Sequence, residues 1–585
     1  MEPPSFTLRQ WLSGAAVVAL LIAASFASSA TSPFINFDDP LYVLEREGVH
    51  APGWAGFLSL WNPQNAEDGL FIEYFPLRDS MYWLTWQIFG ENSTAFHLVN
   101  LAFHFLTSLL VVALGQQLKL STSASWTAGA VFAVHPGHLE SVVWIAGLKD
   151  PMYTSFLLAA VLCYARSLRL KRGASGGALV FLVLSLLCKS MGFIAPVLLL
   201  LVERFTASPV TRRELAFRLL MPSLICGLFL LHFIWVGQVN GVVLPPHGGS
   251  WPNHLMAALW AFTRYIQQAI APYDFEFNRC FLFPQGWWDL RCPVAVSVAL
   301  FFVFLLVYLR NHRLPFFLLG WFLVCLFPVM NIIPFPALVA DRYLYAPSIA
   351  LCLALGALSE GLERRRKAVA VVVVVVTLCL VSAARGSLWH SELALWQSTI
   401  DDEACVDSGS HLNVGSALAK REPRAALESY HRGMNSADFG DLAPAVQCDA
   451  HAAAAQAALE VGELALAIRH IERATSLCPH EGRMWQAAST VYATVNDEAR
   501  DLEAAGRAAA LSSGNQYLGL IWNRGLARFG GGRIDAAAAD FTVCIQANPA
   551  RFCSLLSAWQ RQAPDHAGAS ERVMGLIGDS CRPRP

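Results

Sequence analysis

Two adjacent carboxylates follow closely on an apolar run near the start of this chain: Asn36-Phe37-Asp38-Asp39-Pro40 comes soon after Trp11 to Ala30. An acid there could take a proton from an incoming hydroxyl, or hold a divalent cation against a phosphate. Asp-Asp-Pro is also good turn and capping chemistry. A second group, His135-Pro136-Gly137-His138-Leu139-Glu140, runs on to Trp144 and Lys149-Asp150 and interrupts another apolar stretch. If 138–150 is helical, Glu140 and Trp144 share a face. Glu140 could then orient or deprotonate an acceptor, while His135 and His138 could bind a phosphate or a metal. The other use for such histidines is hydrogen bonding between helices. Lys189 lies where two short apolar runs meet; it would meet an anionic headgroup or snorkel to the membrane surface. In Asp341-Arg342-Tyr343-Leu344-Tyr345-Ala346-Pro347, Arg342 offers a planar fork suited to phosphate. The alternative is an ion pair with Asp341 or another intramembrane acid.

The elements that must hold these groups are membrane helices. The chain has 585 residues, 55% hydrophobic and 15% charged, where a soluble chain would carry about a quarter charged. Apolar runs continue to about Arg385, and beyond that the sequence is polar and alanine-rich. A helix needs about 20 apolar residues to cross a bilayer. The runs predict about eleven spans: 11–30, 96–117, 125–146, 152–168, 177–188, 191–203, 216–236, 293–310, 315–333, 339–358 and 367–384. The fifth and sixth are short, and read as a tilted pair meeting at Lys189 or as a re-entrant hairpin. The first has Arg9 before it and small residues near Ala27-Ser28-Ser29-Ala30, like a signal peptide, but so many later spans favour an uncleaved helix.

Orientation follows from the basic loops. With the N-terminus in the cytoplasm, Arg166/Arg169/Lys171/Arg172, Arg204/Arg212/Arg213/Arg218, Arg310/Arg313 and Arg364/Arg365/Arg366/Lys367 all fall on that side. The opposite side, periplasm or ER lumen, then receives 31–95, the Lys149-Asp150 segment, 237–292, the turn 334–341 and the C-terminal part. Within 237–292, His254 to Ile270 carries Arg264, Gln267 and Gln268 and reads as an interfacial helix. Net charge is −1, and no broad basic surface suggests nucleic acid.

From about Cys405 a weak repeat appears with a period near 34. One unit runs Ile521, Gly525, Ala537, Phe541, Cys544, Asn548, Pro549, and another Ala455, Ala467, Ile471, Ala474, Pro479. Looser ones show Asn413, Gly415, Ala426, Tyr430 and Trp485, Tyr492, Ala508. Small residues at these offsets let two helices approach closely, and the period is that of tetratricopeptide repeats. The expected fold is all-α: a polytopic helix bundle over 1–388, with outer loops 31–95 and 237–292, then a repeat solenoid over 389–585. Of the 14 cysteines, Cys280–Cys292 and Cys405–Cys448 are plausible outer-side disulfides by position.

Phe34 to Val43, His135 to Trp144, Leu187-Cys188-Lys189-Ser190 and Ala340 to Pro347, in this order and followed by repeats, resemble the transmembrane-and-tetratricopeptide O-mannosyltransferases and their bacterial relatives. The resemblance implies a GT-C glycosyltransferase fold and a sugar donor on a polyprenyl or dolichyl phosphate carrier. It places the catalytic acid at Asp38 or Asp39 and the carrier phosphate at Arg342 and Lys189. Glu140 and Asp150 would support acceptor or carrier, with His135, His138, Asp341 and Tyr345 lining the substrate site. The repeats would engage a protein acceptor or partner. A divalent cation is compatible with this chemistry but not required by the sequence. Two other readings keep parts of the pattern: a glycosyltransferase acting on lipid or envelope polysaccharide, and a non-catalytic scaffold. A transporter would show repeated halves and charges at the midplane.

Overall fold

The computed structural model describes residues 7–63, 74–170, 176–206, 211–239, 246, 249–271, 288–334, 337–400, 408–436, 438–511, 515–530, 532–562, 572–573, 575 and 577, and these contain helices and turns but no strand. The chain divides into two units, Met1–Asp401 and Asp402–Pro585.

The first unit is a bundle of apolar helices, and the protein is an integral membrane protein. Six described helices are long and apolar enough to cross a bilayer: Leu8–Phe26, Ser93–Gln117, Ile145–Arg169, Arg212–Val236, Arg291–Leu309 and Arg364–His390. They differ in depth. The apolar window of Ile145–Arg169 is 83% buried and that of Leu8–Phe26 only 17%, so the former is the centre of the bundle and the latter lies at its edge. Large apolar side chains such as Leu20, Phe304 and Val372 face outward, as a hydrocarbon solvent permits.

Two expected spans are interrupted. The third, 125–146, is helical only over Thr122–Val134. Pro136 has no backbone N–H to continue the ladder, and the chain turns through two 3-10 segments, Pro136–His138 and Ile145–Leu148, around the short helix Leu139–Val143. The tenth, 339–358, starts as the 3-10 turn Asp341–Leu344 and becomes α-helical only over Ser348–Leu358. The fifth and sixth are the helices Gly176–Cys188 and Ala195–Thr206, joined by the 3-10 turn Ser190–Ile194 with Lys189 at the junction.

The expected interfacial helix is Trp251–Ile270, capped by the Ser250 hydroxyl. His254, Ala257, Ala258, Ala261, Tyr265 and Gln268, three or four residues apart, form its buried face, and it packs on Arg291–Leu309. The segment after 388, assigned to the repeats on sequence, joins the first unit as far as residue 400. There the buried ring of Trp396 meets Phe37 with centroids 5.6 Å apart.

The second unit is a succession of antiparallel helix pairs: Ser408–Leu418 with Pro423–Asn435, Pro444–Val461 with Leu464–Leu477, Gly482–Thr494 with Glu498–Leu511, and Asn515–Gly530 with Ile534–Ala547. Pro423 and Pro444 open their helices, where a missing N–H costs nothing. Close approach within a pair needs glycine facing an aromatic ring: a Cβ on Gly415 would stand 2.7 Å from Tyr430, and one on Gly525 2.7 Å from Phe541. The last pairs are also held by charge. Fully buried Asp501 and Asp540 both receive Arg524, at 2.6 and 2.7 Å, and both receive Arg528.

Cys448 pairs with Cys478 across 6.3 Å between Cα atoms, which corrects the expected Cys405–Cys448 bridge. Antiparallel packing puts the first turns of Pro444–Val461 beside the end of Leu464–Leu477, so the partner comes from the neighbouring helix. Cys405 and Cys280 lie outside the described residues.

Gly525→Ala should destabilise the second unit by about 1–3 kcal/mol, the cost of overpacking against Phe541. Gly506→Ala, whose Cβ would meet nothing within 4 Å, should be neutral or stabilising by up to about 1 kcal/mol. Denaturant unfolding of the two variants checks the difference.

Candidate active site

The helix break at His135-Pro136 creates the site. The segment 135–150 is buried throughout and folds back on itself. A Cβ on Gly147 would come 2.6 Å from the Glu140 carbonyl oxygen, so only glycine allows the approach.

Into this fold-back reaches the loop after the first span. Asp39, 1% exposed, accepts from the backbone N–H of Ile35 (2.9 Å) through one carboxyl oxygen and from that of Ala146 (2.9 Å) through the other. It ties its own turn and the second motif together. Phe37 packs beside it against Trp144, with centroids 5.7 Å apart. Burial pushes the Asp39 carboxyl up to about 7 against the pull of the Ile35 and Ala146 amides; neighbouring Asp38 adds to the rise and Trp144 opposes it. Asp38 is only partly buried and lies within electrostatic reach of Arg342. The two adjacent acids are thus differently placed, one locked to backbone amides and one turned toward the cations.

Arg342 sits in the 3-10 turn Asp341–Leu344. Its backbone N–H donates to Glu140 (2.8 Å), its guanidinium forms an ion pair with the same carboxylate, and it lies over the rings of Tyr343 (5.1 Å) and Trp144 (5.7 Å). Its side chain keeps 17% of its exposure, while Glu140 keeps 5%. The turn is braced from behind by the interfacial helix: Gln268 donates to Asp341 (2.8 Å), the Tyr265 hydroxyl donates to the Leu338 carbonyl (3.1 Å), and the Ala340 N–H donates to Tyr265 (3.3 Å).

Lys189, extended at the end of Gly176–Cys188, donates to Asp150 at 2.6 Å. Its ammonium faces the same Tyr343 ring as Arg342 does, at 5.6 Å. Asp150 stands in the first turn of Lys149–Arg169, where the helix dipole favours an anion. The structure therefore brings Asp38, Asp39, Glu140, Asp150, Lys189 and Arg342 to one place.

The remaining expected residues lie around or beneath it. His138 is fully buried, with one ring nitrogen on the Phe132 carbonyl (2.9 Å) and the other on Ser348 (2.8 Å). The Tyr345 hydroxyl meets His104 at 2.8 Å inside the bundle. His135 is 7% exposed and accepts from Gly137 N–H at 3.1 Å. His138 and Tyr345 join separate elements through these hydrogen bonds and His135 caps its own turn; Asp341 faces Gln268.

Sequence reasoning gave no role to a second buried charge cluster. Asp79 pairs with Arg46 and with Arg78, each at 2.8 Å. Arg78, 0% exposed, lies over Tyr42 at 4.2 Å, and Lys149 faces the same ring at 5.6 Å. Tyr42 thus links this cluster to the one around Asp150. The available signal was Arg78-Asp79 embedded in the aromatic stretch Phe75 to Trp83. Among the described residues no group of three or more His, Cys, Asp or Glu is arranged to hold a metal ion.

No protein-family model matches the chain. Among characterised proteins, a protein O-mannosyl-transferase of Caenorhabditis elegans is 24% identical over 422 residues, 67% of this chain and 56% of the relative. Protein O-mannosyl-transferase TMTC4 of Homo sapiens is 24% identical over 493 residues, 71% of this chain and 65% of the relative. The chain is similar in sequence to the TMTC protein O-mannosyl-transferases. TMTC1 of Homo sapiens is 31% identical over 190 residues, 30% of this chain and 21% of its own length. The resemblance is thus borne out, and the chain spans 56% and 65% of the length of the first two relatives. A solved oligosaccharyltransferase of Archaeoglobus fulgidus, in the apo form, is 14% identical, covers 72% of this chain and 59% of its own, and has a TM-score of 0.32; that overlap is too small to assign a fold.

Two outcomes follow from the geometry. A carboxyl raised from 3.8 to about 7 on folding holds its proton more tightly in the folded state. Its contribution to stability therefore falls as pH rises from 3.8 to about 7 and is flat beyond. Asp39→Asn should abolish that slope and cost about 1–3 kcal/mol, because the amide turns an N–H toward one of two backbone donors. Thermal unfolding across pH in detergent reads both. Asp79→Asn, by the same assay, should cost about 3–5 kcal/mol, since two buried arginines lose their counter-charge.

Proposed function

We propose that this chain is a membrane glycosyltransferase of GT-C type, with about eleven spans. It moves a hexose, as the names of its relatives suggest mannose, from a polyprenyl or dolichyl phosphate carrier to Ser/Thr hydroxyls of proteins. The observation that carries this reading is the partly buried acid Asp38 within electrostatic reach of Arg342, which meets the same Tyr343 ring as Lys189 does. Asp38 takes the proton of the acceptor hydroxyl as its oxygen attacks the anomeric carbon. The bond from that carbon to the phosphate oxygen breaks, with inversion, and the departing carrier phosphate is held by Arg342 and Lys189. Glu140 and Asp150 keep those cations in position through their ion pairs. Asp39 positions the loop and is too enclosed to receive a hydroxyl proton.

The carrier is lipid-borne, which suits a site built at the ends of membrane helices. The helix pairs of the second unit form a tetratricopeptide solenoid that presents the acceptor chain. The site and the repeats share the outer compartment. That reading is supported by helix Glu392–Ile400 of the first unit, which lies beside Phe37, next to the acids. The Cys448–Cys478 disulfide also suits an oxidising compartment, the periplasm or the ER lumen.

The test is transfer from a mannosyl-phosphoryl-polyprenol to a Ser/Thr-rich acceptor protein by purified enzyme, read by mass spectrometry. Asp38→Asn should fold normally and lower the rate by about 10²–10⁴, the usual worth of a positioned base. Arg342→Ala should lower it by a comparable factor, about 10²–10³, as loss of leaving-group stabilisation in a poorly hydrated site does. Full transfer by Asp38→Asn would refute the assignment. Transfer to a lipid acceptor alone would move the repeats to an accessory role.

A further inference from the structure

The helices that deliver the site at one end enclose a different feature at the other. Ser93–Gln117 ends, and Thr122–Val134 and Arg364–Gly386 begin, around a cleft of 820 Å³. Its lining changes with depth. At the mouth stand Lys119, Ser121, Glu360 and Arg364, with Lys367 one turn further in. Along the helices the wall becomes Ala368 and Val371, and Val371 lies about 10 Å below Arg364 at 1.5 Å of rise per residue. Leu120 and Leu362 also line the mouth, and Ser123 and Thr127 the wall, so the cleft is cationic at the end of the span and mixed toward the hydrocarbon, where Ala368 and Val371 supply its apolar floor.

The charges at the mouth are not balanced within the cleft. Glu360 accepts from the Ser121 backbone N–H at 2.6 Å, and Lys367 donates to a neutral group, the Ser123 hydroxyl, at 2.9 Å. Among the described residues the nearby ion pair is Arg366 with Glu363, at 3.6 Å and largely exposed. Lys119 adds a second observation. It closes the Ser93–Gln117 helix with φ +66°, in the left-handed region where glycine or asparagine is the ordinary choice. A lysine holds this strained position at the rim of the cleft.

We propose that this cleft binds an anionic phospholipid, with the phosphate between Lys119, Arg364 and Lys367 and an acyl chain along Ala368 and Val371. A soluble anion would use the cations and have no use for the apolar floor. A zwitterionic lipid would use the floor and bring its own cation against three others. The bound lipid would cross-link the start of the last span to the turn between Ser93–Gln117 and Thr122–Val134, and the latter helix runs on into the 135–150 segment of the acid-rich site. The assignment stands independently of the transfer reaction.

Native mass spectrometry of the full-length protein tests it, by titration with phosphatidylglycerol and with phosphatidylcholine, and with inorganic phosphate as competitor. Phosphatidylglycerol should bind at least tenfold more tightly than phosphatidylcholine. The variant K119S/R364Q/K367Q should lose on the order of a hundredfold, from about fivefold per cation near a membrane surface. R365Q/R366Q removes exposed charges outside the cleft and should stay within about threefold of wild type. Val371→Trp fills the floor with every cation in place, and should weaken phosphatidylglycerol while leaving inorganic phosphate unaffected. The proposal is overturned if the two lipids bind alike, if R365Q/R366Q loses as much as the cleft variant, or if millimolar phosphate displaces phosphatidylglycerol completely, which would mark a site for free anions.

Discussion

A charge taken out of water must find a partner, and in this protein that requirement welds together segments far apart in sequence. Lone ions in a low-dielectric interior cost several kcal/mol each even after relaxation. Each buried charge of the site therefore answers another element. Asp39 reaches the amide of Ala146, Glu140 reaches Arg342, Asp150 reaches Lys189, and Asp79 reaches Arg46 and Arg78. Remove these pairs and the loop after the first helix, the segment 135–150, the junction at Lys189 and the turn Asp341–Leu344 have little polar reason to meet.

The pairing also sorts the roles. A carboxylate whose two oxygens are spent on backbone amides is a fastener, and Asp39 is one. Asp38, less buried than Asp39 and within electrostatic reach of Arg342, is not spent on those amides. The same distinction holds among the cations. Arg78 is fully enclosed over Tyr42, whereas Arg342 keeps part of its guanidinium exposed beside Tyr343. The aromatic rings matter here because their faces offer a diffuse negative surface to a cation. A phosphate arriving between Arg342 and Lys189 would find both already held, with little reorganisation left to do.

Helix interruption supplies the geometry that continuous spans lack. A straight helix through 125–146 would carry Glu140 and Trp144 along one face and deliver nothing across the bundle. Stopping at Val134 lets the following fourteen or so residues fold back, which is tolerated at membrane depth only where the freed backbone groups are buried in protein. The amides of Gly137 and Ala146 are indeed taken by His135 and Asp39. The same logic holds the 3-10 opening of the tenth span, whose Ala340 amide is taken by Tyr265.

Composition and periodicity determined much of this protein by themselves. Apolar runs set which segments are membrane helices, because the length needed to cross is a property of the bilayer. The 34-residue offsets set the helix pairs of the second unit, because small residues must recur where helices touch. The acid-rich motifs were legible as motifs because charge is conspicuous in an apolar background. Which side chains meet was decided only by tertiary structure. Neighbouring residues such as Asp38 and Asp39 point apart by an angle that depends on what the loop packs against, and no spacing rule gives the partner of a buried arginine 40 or 200 residues away. Arg78 and Asp79 went unassigned for that reason, and Cys448 found Cys478 on the adjacent antiparallel helix because helix packing, and not distance along the chain, brings their Cα atoms to 6.3 Å.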